Sequence, residues 1–131
     1  MYLLDTSVWI DFFRGKLEYS TRERIFTYIE NDLVTYNGII LSELLIGCKS
    51  EKEKQLIIEN FAGFVYIDLI HQDYIDLAET GNALLRKGIT IPLTDIIIYY
   101  QAKSSKSKIM TYDKHFKYFN DKSIEIIQKS I

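Results

Sequence analysis

Four acidic side chains carry the chemistry this sequence could do: Asp5 in YLLDTSVW, Glu43 in GIILSELLIGC, Asp95 in PLTDIIIYYQAK and Asp113 in IMTYDKHF. Three have an ordinary explanation. Asp5 and Asp113 follow apolar runs and precede helical stretches, where Asp caps a helix by accepting a backbone N–H. Asp95, three residues after the single proline, complements a helix dipole from the first turn. Glu43 is harder to dismiss, because it is the only charge in an apolar helical stretch and should be protonated, hydrogen-bonded, paired or metal-bound. Gathered in one crevice, the four would need protons or cations. Two unit charges about 4 Å apart repel by about 1 kcal/mol in water and about 4 kcal/mol at an effective dielectric near 20. Oxygen donors, in a chain whose soft or imidazole ligands are Cys48, His71 and His115, suit Mg2+ or Mn2+ rather than zinc.

What could gather them is an alternating α/β fold. Short apolar runs at 2–4, 33–37, 64–69, 108–112 and 123–127 read as strands. Helical spacing or composition marks 7–13, 21–31, 38–49, 51–60, 71–87 and 95–103, with a short helix after the fourth strand. The 38–49 segment is apolar almost all round and predicts a buried helix closed near Gly47. Strands separated by helices imply one mostly parallel sheet covered on both faces. In such sheets ligands bind outside the carboxyl ends of the strands, where the strand order reverses. Asp5 and Asp113 stand at two such ends, and the four acids converge if the first and fourth strands are neighbours. Asp68 also closes a strand, so strand-end position alone does not select the site.

Size and charge bound the rest. A chain of 131 residues with 47% hydrophobic content is long enough for one continuous core, so a single domain over 1–131 is expected. The lone cysteine cannot form an internal bridge, no signal peptide is evident, and the apolar run IIIYY is too short to span a bilayer. A cytoplasmic protein is expected. The net charge of −2 gives no global nucleic-acid footprint and leaves only local basic patches to bind phosphate.

With these residues in place, the chain resembles PIN-domain nucleases, most closely the ribonuclease toxins of VapC-type toxin–antitoxin pairs. The resemblance rests on LLDTSVWIDFFRG, SELLIG, GITIPLTDIIIYYQAK and IMTYDKHF, and covers essentially the whole chain. It implies a three-layer α/β/α sandwich with strand order 3-2-1-4-5, which puts Asp5 and Asp113 on adjacent strands and Asp68 toward an edge. It also implies that Asp5, Glu43, Asp95 and Asp113 are the catalytic and metal-binding acids, supported by a hydroxyl at Thr6 or Ser7 and by Thr111. A small antitoxin partner, an RNA substrate and a homodimer follow from the same resemblance. One departure stands out: where many relatives carry small residues after the third acid, this chain has bulky Tyr99 and Tyr100.

The chemistry that fits is metal-assisted phosphodiester hydrolysis, with direct metal contact from Asp5 and Asp95 and direct or water-mediated contact from Glu43 and Asp113. Arg14, Lys16, Lys114, His115 and Lys117 flank the first and fourth motifs and could hold RNA phosphates, or simply face solvent. Lys103, Lys106 and Lys108 serve a helix end and a loop. Trp9, among Val8, Ile10, Phe12 and Phe13, reads as core rather than as a platform for a base. Two other classes compete. One is a PIN-like RNA- or protein-binding module without catalysis. The other is a phosphotransfer domain using Asp5 as nucleophile, which lacks the second Asp such sites want two residues on, where Ser7 stands.

Overall fold

The computed structural model describes residues 1–129. Its elements alternate as the apolar runs require: β1 (Tyr2–Leu4), α1 (Thr6–Phe13), α2 (Tyr19–Glu30), β2 (Val34–Tyr36), α3 (Gly38–Ile46), α4 (Glu51–Phe61), β3 (Val65–Tyr66), α5 (His71–Arg86), α6 (Leu93–Ser104), β4 (Lys108–Thr111), a 3-10 helix (Lys114–Phe119) and β5 (Ile124–Ile126). The strands form one parallel sheet in the order β3-β2-β1-β4-β5. The order therefore reverses between β1 and β4, where Leu3 pairs with Ile109 and Leu4 with Met110. Right-handed crossovers on either side of that point place α1–α4 over one face and α5 and α6 over the other, which is the expected three-layer α/β/α sandwich.

Burial follows centrality. Leu3, Leu4, Ile109 and Met110 are almost wholly removed from water, and Val8, Ile25, Ile40, Phe61 and Ile98 pack against them. Each such side chain contributes about 1.5–3 kcal/mol by its removal from solvent. A second cluster, Leu77, Leu84, Ile91, Ile96 and Ile97, joins α5 to α6. Local chemistry sets the ends of the helices. Asn37 caps α3 by accepting from Ile40 N at 2.8 Å. Gly88, at φ +79°, takes the left-handed turn that stops α5.

Trp9 is fully buried, its ring 5.1 Å from that of Phe61 and 5.4 Å from that of Phe64; it belongs to the core. Two expectations need correction. Helix α3 is not buried all round: Ile40 and Leu44 face the core, while Ile46 is 83% exposed and Glu43 is also exposed. The third strand shrinks from 64–69 to Val65–Tyr66, because β3 is an edge strand with only Thr35 and Tyr36 of β2 to pair with. Tyr99 and Tyr100 are absorbed within the chain. Tyr99 stacks on Phe119 at 4.1 Å and donates to Asp121, and Tyr100 donates to Asp73 on α5.

Candidate active site

The carboxyl ends of β1 and β4 lie side by side, and hydroxyls link the acids there. Asp5 leaves β1 in extended backbone, its N–H donating to Met110 O at 2.9 Å. One carboxylate oxygen accepts from Thr6 N (2.8 Å), so the capping role is real, and the other accepts from Thr111 Oγ1 (2.8 Å). Thr111 is fully buried, and its hydroxyl also accepts from Asp113 N at 2.9 Å. Thr6 Oγ1 donates to Glu43 Oε1 at 2.9 Å, across 37 residues of sequence. A continuous path, Glu43–Thr6–Asp5–Thr111–Asp113, thus spans the switch point between β1 and β4. Of the two hydroxyls considered after the first acid, Thr6 makes the link; Ser7 is partly buried on the next residue of α1.

Asp95 completes the group from the first turn of α6. Partial burial raises its pKa to about 6, helped by the negative charges of Asp5, Asp113 and Glu43 and opposed by His115. Asp5 is also raised, first by burial and then by Glu43 and Asp113, against the lowering effect of its bonds from Thr111 and Thr6. These carboxylates are uncomfortable as anions, the condition a bound cation relieves. Glu43 enters on different grounds from those expected. It is exposed, so burial does not make it costly; its bond to Thr6 and its effect on Asp95 bring it into the group.

The acids are gathered but not closed around a point. Among the described residues no three His, Cys, Asp or Glu side chains stand together as ligands to one ion. Each carboxylate is engaged by its own hydrogen-bond partner: Thr6 engages Glu43, Thr111 engages Asp5, and His115 engages Asp113 through its backbone N (2.8 Å) and Nδ1 (2.9 Å).

The basic residues divide. Arg14 and Lys16 are exposed and line a cavity of about 400 Å3 with Glu43, Lys49 and Leu56. Lys114, His115 and Lys117 are exposed on the 3-10 helix beyond Asp113. Lys103 is occupied elsewhere, 2.9 Å from Asp121. Asp68 follows the edge strand and is not among the acids acting on Asp95. One supporting pair went unanticipated. Buried Asp11 on α1 accepts from Tyr112 Oη at 2.9 Å and so fastens α1 to the residue between Thr111 and Asp113. Its one signal was a lone charge inside VWIDFF.

A PIN domain family model matches residues 2–122. Among solved structures the chain is similar to VapBC-1 from nontypeable Haemophilus influenzae (22% identity, TM-score 0.78) and DNA-bound VapBC from Salmonella typhimurium (24%, 0.77). It is also similar to VapBC2 from Rickettsia felis bound to a fragment of its promoter DNA (20%, 0.74). Each alignment covers 95% of this chain and 96% of the other. Comparison with curated proteins found no match. Identities this low speak to fold, and the fold they share is the one that sets Asp5 beside Asp113. With the family match spanning nearly its whole length, the chain belongs to the PIN domain family.

Proposed function

We propose that this chain is a metal-dependent endoribonuclease, the toxin of a type II toxin–antitoxin pair, hydrolysing RNA phosphodiester bonds in the cytoplasm. The observation that carries the reading is the path Glu43–Thr6–Asp5–Thr111–Asp113 across the switch point, with Asp95 charged against it from α6. The donors are hard oxygens and two are strained as anions, so the set fits Mg2+, with Mn2+ as substitute. Asp5 and Asp95 would hold the ion directly, and Glu43 and Asp113 directly or through water. Such an ion supplies an acidified water and positive charge against the phosphorane-like transition state.

The chain's own part is positioning. Thr111 aims Asp5 and steadies the backbone of Asp113, while Thr6 keeps Glu43 turned toward Asp5. Arg14 and Lys16 hold RNA phosphates on the α1 side, and Lys114, His115 and Lys117 do so beyond Asp113. The VapBC assemblies among its structural relatives support an antitoxin partner. Exposed Ile46, Leu56 and Ile58 on α3 and α4 offer that partner apolar surface. A homodimer is also proposed, and its mass in solution tests it. Among the described residues no helix is long and apolar enough to cross a membrane.

The open arrangement of the acids favours one second reading, a PIN-fold binding module without catalysis. An RNA digestion time course in MgCl2, with and without EDTA, separates the two. Folded Asp5→Asn protein loses cleavage, whereas Glu30→Gln, an exposed acid on α2, retains it. Equal cleavage by both variants removes the site assignment.

A further inference from the structure

We infer that the cavity between α3, the segment after β3, and α5 is a subsite for one nucleobase of the RNA, selective for bases bearing an exocyclic amino group. The inference rests on the ribonuclease reading above and deepens it. The cavity, about 430 Å3, is continuous with the acid cluster: Glu43 lines both, and Thr94 beside Asp95 lines its rim. A substrate whose phosphate lies over the acids therefore has an adjoining base within reach of it. That volume lies within the usual range for small-ligand sites.

The lining selects a base over a phosphate. Arg14, Lys16 and Lys49 line the cavity on the other side of Glu43, whereas this one has Asp68 and Glu43 and no Lys or Arg. Phosphate is repelled here and drawn to the opposite side. Tyr66 and Tyr74 border the cavity and are each 51% exposed, leaving ring surface for stacking, the usual way single-stranded RNA bases are held.

The polar groups then choose among bases. Asp68 Oδ1 accepts from Leu69 N at 2.8 Å, leaving the other carboxylate oxygen for a ligand donor. Ser42 Oγ already donates to Gly38 O at 2.6 Å, so it too presents an acceptor. The hydroxyls of Thr94, Tyr66 and Tyr74 also line the cavity and can donate, but the carboxylates of Asp68 and Glu43 are the charged partners and form the stronger hydrogen bonds. The site therefore favours the amino group of guanine, cytosine or adenine over uracil, whose one base donor is its N3–H.

The test maps cleavage of an RNA pool randomised at every position, in MgCl2, beside binding of short hexaribonucleotides to Asp5→Asn protein. Wild type should favour amino-bearing bases over uracil at one fixed position relative to the cut. Tyr66→Ala and Tyr74→Ala should raise KM about tenfold and flatten that preference. Asp68→Asn should shift it toward uracil, because the amide can donate to a carbonyl. Metal-dependent cleavage with the same base profile in all four proteins overturns the subsite and leaves the nuclease reading standing. Conversion of a dimer to monomer by Tyr66→Ala, with the profile unchanged, overturns it in favour of a second copy on this surface. If wild type cuts no RNA, the nuclease reading fails, and equal binding of uracil-rich and amino-rich hexamers overturns the subsite as well.

Discussion

Helix α6 carries one aspartate in its first turn and engages another from its far half, and the two are in opposite states. Toward its far end, Tyr99 Oη from mid-helix and Lys103 Nζ from the last turn reach Asp121, just before β5; that carboxylate also accepts from Ser123 N and Oγ. Led by the Ser123 bond, these donors hold Asp121 well below the ordinary carboxylate range. At the first turn, Asp95 is partly buried beside Asp5, Asp113 and Glu43, and its pKa rises to about 6. Helix α6 returns against the direction of the parallel strands, so its start lies at their carboxyl ends and its finish at the opposite edge. A carboxylate surrounded by donors is a fastener. One surrounded by other carboxylates is waiting for positive charge, and that difference separates structure from function here more sharply than residue type does.

The largest expected effect breaks the comparison at both ends. Asp5→Asn or Asp95→Asn should reduce RNA cleavage by more than about a hundredfold, beyond the loss typical of supporting residues around a metal, and Asp95→Asn should do so without lowering the melting temperature of the metal-free protein. Asp121→Asn should do the reverse. It gives up charge-assisted hydrogen bonds worth about 2 kcal/mol, roughly 5–10 °C in a chain of this size, and leaves cleavage intact. Calorimetry together with a fluorogenic RNA assay reads both. Loss of activity in Asp121→Asn at a temperature where it remains folded would erase the distinction.

Next in size is the hydroxyl bridge. Thr111→Val keeps the shape of a fully buried side chain but removes the donor to Asp5 and the acceptor for Asp113 N. An expected loss of about 10–100-fold in cleavage, with weakened Mn2+ binding by calorimetric titration, follows from the usual weight of such supports. Unchanged Mn2+ affinity would mean that Thr111 organises only the strand ends.

Little of this contrast was visible in the chain as written. The order of strands and helices was legible, because apolar runs and their polar punctuation alternate with the right periods. The four acids could be gathered on paper from strand-end position and family resemblance. Their states could not. Asp95 and Asp121 differ in what lies around them in space, and Asp121 meets Tyr99 across 22 residues. The Asp11–Tyr112 bond spans 101 residues, and the lone charge in VWIDFF does not tell which residue it meets. Helix α3 misled for a related reason. Composition reports how apolar a helix is, not which of its faces is covered, so Ile46 and Glu43 were read as buried when both are exposed.

The smallest effect sharpens the comparison most, because it reads the state of Asp95 directly. An unfolded chain releases this proton near pH 3.8, whereas the folded protein keeps it to about pH 6. Between those values the folded state binds more proton than the unfolded state. Its stabilising contribution is therefore complete below 3.8, falls as pH rises through 6, and is lost above. Asn at this position has no proton to lose. Metal-free Asp95→Asn should match wild type near pH 3.5 and melt higher near pH 7.5, by only about 2 °C once partial solvent exposure of the group is allowed for. MgCl2 should then raise the melting temperature of wild type near pH 7.5 far more than that of the variant, since the ion binds the ionised cluster. Asp121→Asn should respond with the opposite sign, closest to wild type in acid and furthest below it at neutral pH, because its carboxylate is held ionised. Parallel pH profiles for the two variants would mean that the two aspartates are equally at ease as anions, and the case for a cation at the first turn would lose its physical basis.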